Sequence, residues 1–560
     1  MKLRKDLGMR IPVKIFVQDP FIAKKYKKEK KFGIETIELD WEPSWGHGPT
    51  SSRVAVVDYN MDTDILASPV EWDIRKKKFG VTNPNSFLFH QLNVWATIQN
   101  ILAFFEKPQV MGRPIPWGFN GNKLIVVPHA GEMQNAFYSR RGKCLLFYYF
   151  FCEGVPVYTC LSHDIVAHET GHAILDGIRP HYFHFSSAQT GGFHEFIADL
   201  TAIFALLRTN KVRHSVAEIV EKNDGKLWKA KVISGLGEEF AVKGSKATFG
   251  KADRNYIRNA YNKKTMDKIK NCWIPHYCSE VLTGALFEIL AKITSYRIKK
   301  ENETAKDALW NATEHVNKLA FRALDYCPPV DIQYADYVQA LIRADEIAYP
   351  TDKHGYLKII KKIFKKRGIE KIDPTPPPKA VTFTWKYDLE RIASSHTTAY
   401  HFLDDNRKKL KIPKNQDFEI ADIYYTDKVV GAHERLPREI ILEYIWSEPV
   451  ILEGEEFGEL KNKKVPLRCG GTLVFEERGN ILYWSRKASS VEKEGNERIK
   501  NLLHYIKLLI AADKIKLVSR EALQYINPYQ PAIEAIQDGD MVQLEMTPEF
   551  LNPTIGFGEK

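Results

Sequence analysis

The chain has 560 residues, 44% of them hydrophobic, which gives room for three or four domains with substantial cores. Seven cysteines are too few, and odd in number, for a disulfide framework, and the longest apolar run, residues 145–151, is too short to span a bilayer. A net charge of +11 is concentrated in lysine-rich runs at 24–28, 75–78, 361–367 and 407–409. No nucleic-acid motif accompanies them, so they read as solvated faces rather than as a nucleic-acid surface.

Residues 1–6 are basic, but no apolar run follows, so no signal peptide is expected and the chain reads as cytoplasmic. Apolar runs at 13–17 and 54–57 alternate with turn-rich stretches and predict strands. A helix is expected over 87–105, strands at 124–127 and 145–151, and mostly helical periodicity from 162 to 368, where Ser162 is a good N-cap and Gly177 a helix stop. The Pro-rich run at 370–380, with Pro374, Pro376, Pro377 and Pro378, is the clearest linker. Beyond it, residues 472–475 and 481–484 flank Gly479-Asn480 as a hairpin, and Ile499, Leu502, Leu503, Ile506 and Ile510 mark an amphipathic helix.

Within the helical stretch, His168-Glu169-Thr170-Gly171-His172 is an H-E-x-x-H box. Positions i and i+4 share a helix face, so His168 and His172 can bind one zinc ion, with Glu169 directed at the open coordination position. Glu195 follows 23 residues after His172, on a segment whose Phe193, Phe196, Ile197, Leu200, Ile203 and Phe204 predict a buried helix. An acid there is costly unless it is paired or ligates a metal. Asp199 shares its face, so one carboxylate can ligate while the other orients a histidine. Two histidines and a glutamate leave a fourth position for water, the composition of a catalytic site.

These segments resemble the thermolysin-like gluzincin zinc metallopeptidases over about residues 80–370. Residues 164–176 are similar to the family's active-site helix, and Glu195 with Asp199 to its third ligand and orienting acid. Asn135-Ala136-Phe137-Tyr138 resembles its substrate-binding segment, in which Asn135 and Ala136 would hold the substrate backbone. His276, ahead of an apolar helix, resembles the oxyanion-stabilising histidine. The family's second oxyanion donor falls on Phe183 by counting, with Tyr182 beside it as the residue able to take the role. Asn271 stands where the family has an acid, so His276 is expected to lack a charged partner. Residues 206–211 are not acidic, which argues against the family's calcium site. For its substrate-carbonyl arginine, Arg258 is a candidate.

The resemblance implies an α+β, two-lobed fold: a β-rich lobe at 1–160, a helical zinc-binding lobe at 161–369 and one zinc per chain in the cleft. A mixed α+β domain at 381–560, a possible adaptor or regulatory surface, would follow the linker. Few contacts are expected to cross that linker, so removing 381–560 should leave a folded zinc-binding unit. This domain or the loop at 179–192 would gate substrate entry. The implied activity is endopeptidase hydrolysis of protein or peptide substrates, with Glu169 as general base. Two alternatives stay open. Residues 131–135 superficially resemble the gluzincin aminopeptidase loop, with Gln134 where an amine-binding glutamate would stand. The chain could also be a basic binding or scaffold protein with a structural zinc.

Overall fold

The computed structural model describes residues 8–26, 32–81, 83–252, 254–374, 388–430, 434–519 and 533–547. Lys27, Lys28 and the prolines at 376–378 lie outside them. The chain is mixed α+β with several small sheets and one larger one.

In β1 (Arg10–Phe16), alternation turns Ile11, Val13 and Ile15 inward, and the strand pairs antiparallel with β2 (Ile34–Asp40). β3 (Val54–Val56) leads towards α1 (Phe87–Glu106), whose N-cap Ser86 hydroxyl accepts from the Phe89 amide. Then come β4 (Leu124–Val127), β5 (Ala136–Ser139) and β6 (Cys144–Phe147). They form a sheet of order β3-β4-β6-β5, with β5 antiparallel to β6 on the edge.

The apolar run at 145–151 is two strands, not one. At Tyr148 the chain changes partners: its amide donates to the Asn135 carbonyl and its carbonyl accepts from the Thr159 amide. β7 (Tyr149–Cys152) then pairs with β8 (Val155–Tyr158).

The helical half is built on α2 (His163–Ile178), α3 (Ala188–Arg208) and α4 (Pro275–Lys300), with α3 packed against both of the others. Gly171, inside the histidine box, makes the α2–α3 approach possible: a Cβ there would stand 2.8 Å from the Ala198 Cα and 3.0 Å from the Thr201 Oγ1. Gly177 does not stop the helix, which runs on to Ile178; it lies where a side chain would collide with the Pro116 carbonyl. By length and composition α3 could cross a bilayer, yet 94% of its apolar window is buried, as befits a core helix.

The C-terminal region is built on β9 (Glu419–Thr426), β10 (Glu439–Ile451), β11 (Lys464–Glu476), β12 (Ile481–Lys487), α5 (Lys493–Ala511), β13 (Ile515–Ser519), β14 (Ile533–Asp538) and β15 (Met541–Met546). The sheet runs β9-β10-β11-β15-β14-β13, with β12 hairpinned onto β11.

Many contacts join this region to the helical half, contrary to the sequence expectation. One hydrophobic core contains Leu324 and Tyr326 together with Leu442 and Tyr483. Buried ion pairs cross the Pro-rich run: Arg179 with Glu443, Lys428 with Asp325 at 2.7 Å and Arg498 with Asp331 at 2.7 Å. The segment between α2 and α3 meets β15, where the Phe185 amide donates to the Leu544 carbonyl at 3.2 Å. Even the start of the proposed linker is packed, with Ile372 buried. Arg367 also leaves its lysine cluster: it is buried and hydrogen-bonded to Asn262 and Glu288.

Candidate metal centre

One turn apart on α2, His168 and His172 bring their Nε2 atoms to 3.1 Å of each other. From α3, Glu195 places Oε2 3.3 Å from His168 Nε2 and Oε1 3.4 Å from His172 Nε2. Ligands on a tetrahedral metal with bonds of about 2.0–2.1 Å stand about 3.3–3.4 Å apart. Each histidine is at that distance from one Glu195 oxygen, His168 from Oε2 and His172 from Oε1. The close helix approach at Gly171 is what lets Glu195 reach them.

α4 adds His276, whose Nε2 is 2.9 Å from Glu195 Oε2. The donor atoms of His168, Glu195 and His276 lie within 4.8 Å of one another, a buried group that can hold a metal ion. The expectation that His276 lacks a charged partner is therefore corrected: the Glu195 carboxylate is that partner. Asn271 is directed elsewhere, its Oδ1 3.3 Å from His504 Nε2.

Burial works against a charge on Glu195, but His276 and His172, with hydrogen bonds from His168 and His172, hold its carboxyl well below the usual range. Asp199 Oδ1 lies 3.0 Å from His168 Nδ1, and Arg258 Nη2 lies 3.1 Å from the same nitrogen. Asp199 also accepts from Arg258 Nε at 2.8 Å, and Arg258 Nη1 lies 4.0 Å from Glu195 Oε2. Arg258 arrives on a two-residue strand, Arg258–Asn259, paired with Gly235–Leu236.

Glu169 turns to the four-stranded sheet: its Oε2 accepts from the Tyr138 amide of β5 at 3.1 Å. Burial pushes its carboxyl up to about 7; His172 and Arg258 pull it down, and Glu195 adds to the rise. Because β5 is an edge strand, Tyr138 uses its outward backbone face on Glu169, and Ala136, two residues back, shares that direction. Asn135 and Ala136 are both buried, and the Asn135 backbone faces inward, its carbonyl accepting from the Tyr148 amide. The Tyr138 hydroxyl donates to Asp176 Oδ2 at 2.6 Å, as does Arg140 Nε at 2.8 Å, so the strand is tied to α2 at a second point.

Tyr182 is not brought to this cluster. It is fully buried, its ring lies against Phe193, and its hydroxyl donates to the Pro328 carbonyl at 2.5 Å. The side chain completes the core instead of offering an oxyanion donor. His194 is a residue that sequence reasoning missed: fully buried beside Glu195, it stacks on His172 with ring centroids 5.8 Å apart. Burial, then His172 and Arg140, push its pKa well below the usual histidine value, so it walls the site as a neutral ring. Its position next to the third-ligand glutamate was the only signal.

A second buried group, His90, His129 and Cys160, also has its donor atoms within 4.8 Å of one another and can hold a metal ion. No protein-family model and no curated protein matches the chain.

Proposed function

We propose that this chain is a zinc-dependent endopeptidase of the thermolysin-like kind. The observation that carries the reading is the spacing of His168, His172 and Glu195 at 3.1–3.4 Å, with buried Glu169 bonded to the outer edge of β5. The donor set supports a catalytic rather than a structural zinc, since it combines imidazole and carboxylate and includes no thiolate. When bound, zinc would polarise the scissile carbonyl and acidify a water.

The chain's residues supply the rest. His168, His172 and Glu195 hold the ion, and Asp199 keeps the His168 tautomer. Glu169 takes the water's proton on its carboxylate and delivers it to the leaving amine. His276, now 2.9 Å from Glu195, would turn its N–H to the developing oxyanion, and Arg258, now held by Asp199 and His168, is the candidate for the substrate carbonyl. Ala136, through its outward backbone, and Asn135, through its side chain, would align the substrate backbone along β5.

Endopeptidase is favoured over aminopeptidase by Gln134. Its Nε2 donates to Thr248 Oγ1 at 3.1 Å, and an amide gives no charge to hold an α-amine. The test is cleavage of an N-terminally blocked peptide by wild type and by Glu169→Gln. The variant should keep its zinc and lose at least about 100-fold in rate. A wild-type rate in the variant would overturn the mechanism. Cleavage of unblocked peptides alone would move the reading to an aminopeptidase, and zinc without cleavage of either peptide would move it to a scaffold.

A further inference from the structure

The parallel strands β3 and β4 run in register, Val56 opposite Val126, so the segments that follow them bring Asp58 and His129 to one place. The first turn of α1 adds His90, and the turn leading into α2 adds Cys160. His90 Nδ1 and His129 Nε2 face each other at 2.8 Å, with the Cys160 Sγ within 4.8 Å of both. All three side chains are buried, at 1%, 2% and 0% exposure.

His129 Nδ1 is 2.8 Å from Asp58 Oδ1, and Asp58 is held in turn by Gln91 Nε2 at 2.8 Å. With Nδ1 committed to the carboxylate, neutral His129 turns its Nε2 lone pair toward His90, the arrangement of a metal-ligating imidazole.

We propose that His90, His129 and Cys160 form a second metal site, for a borderline-soft transition-metal cation of the zinc class. Two imidazoles and a thiolate are the donors such ions prefer. Metal–nitrogen bonds of about 2.0–2.1 Å put ligand nitrogens about 3.3 Å apart, so the rings need to open by only about half an ångström. Asp58 is the outer partner that holds the His129 imidazole in one tautomer. Phe87 stacks on His129 at 4.2 Å between centroids and Tyr158 packs on His90 at 4.7 Å, closing the site. The ion ties α1, the ends of β3 and β4 and the entry to α2 together, giving the chain two metals rather than the single zinc expected from its sequence.

The test uses the full-length protein reconstituted with cobalt(II). Two cobalt ions per chain are expected, with a sulfur-to-cobalt charge-transfer band that the all-nitrogen-and-oxygen centre at His168 cannot give. Cys160→Ser should abolish the band and remove one metal. His168→Ala should remove the other metal and leave the band, so failure of the peptidase reading would not touch this one. No band in wild type, or a band that survives Cys160→Ser, overturns the proposal. Should Cys160→Ser fail to fold, X-ray absorption of the zinc-loaded wild type decides: a sulfur neighbour on about half of the zinc supports the site, and no sulfur neighbour refutes it.

Discussion

Glu195, at the metal centre, faces His168, His172 and His276 at 2.9–3.4 Å; Asp325, at the junction with the C-terminal sheet, faces Lys428 at 2.7 Å and Arg113 at 2.9 Å. Burial opposes a charge on both carboxylates, and in both the surrounding nitrogen groups win: Glu195 is held well below its usual range and Asp325 is lowered to about 2. The difference lies in the partners. Imidazoles have lone pairs and can turn them to a metal, so the charge on Glu195 has an exchangeable occupant. Ammonium and guanidinium groups have none, so the charge on Asp325 is neutralised permanently by groups from another part of the chain. Buried charge serves ligand binding in the first case and joins two halves of the molecule in the second.

The largest expected effect comes from cutting the junction. Removing 381–560 takes Lys428, Glu443 and Arg498 away from Asp325, Arg179 and Asp331 and bares the apolar surface around Leu324 and Tyr326 that packs with Leu442 and Tyr483. Each large apolar side chain exposed costs about 1.5–3 kcal/mol, against about 5–15 kcal/mol for the whole stability of a domain. The truncated chain should be insoluble. A soluble fragment that melts cooperatively and binds zinc would show that the two halves are separate domains after all.

A single break at the same place should be smaller and should depend on which partner is left behind. Glu443→Ala strands Arg179 and should cost about 3–5 kcal/mol in urea unfolding, whereas the double change Arg179→Met with Glu443→Leu should be close to neutral. Equal losses in the two variants would mean that packing, not charge, holds the junction.

The corresponding change at the metal centre should look different. In Glu195→Gln the histidines can stay neutral, so the metal-free variant should unfold within about 1 kcal/mol of metal-free wild type. Added zinc should then stabilise wild type far more than the variant, by linkage. A variant that gains as much from zinc as wild type does would remove Glu195 from the ligand set.

The two regions also differ in how far the sequence disclosed them. His168, Glu169 and His172 sit within one turn of helix, and Glu195 with Asp199 on another, so local periodicity was enough to place them. The Leu473–Trp484 pairing was legible for the same reason, from two short runs around Gly479-Asn480. Arg258 lies 59 residues from the Asp199 it binds, on a two-residue strand that carries no pattern. Tyr182 could be put near the site by counting, but the direction of its ring is decided by Phe193 and Pro328, which no local rule connects to it. The junction was misread because proline richness reports backbone stiffness and says nothing of what the flanking segments bury. Arg179 finds Glu443 264 residues away.

The smallest effect concerns pH. Asp325 has a folded pKa of about 2 against an ordinary value of 3.8, through Lys428 and Arg113 working against burial. A carboxyl whose folded pKa is depressed contributes stability above its unfolded value and loses it as the pH falls through the folded one. The window is therefore about pH 4 to about pH 2, and a shift of this size corresponds to about 2 kcal/mol. Wild type should be more stable than Asp325→Asn at neutral pH, with the gap closing by about that amount across the window, as read by urea unfolding at each pH. A gap that stays constant into acid would mean that the variant suffers from lost shape or hydrogen bonding. The permanent pairing of charge that sets this junction apart from the metal centre would then have to be carried by Arg179 with Glu443 and Arg498 with Asp331 instead.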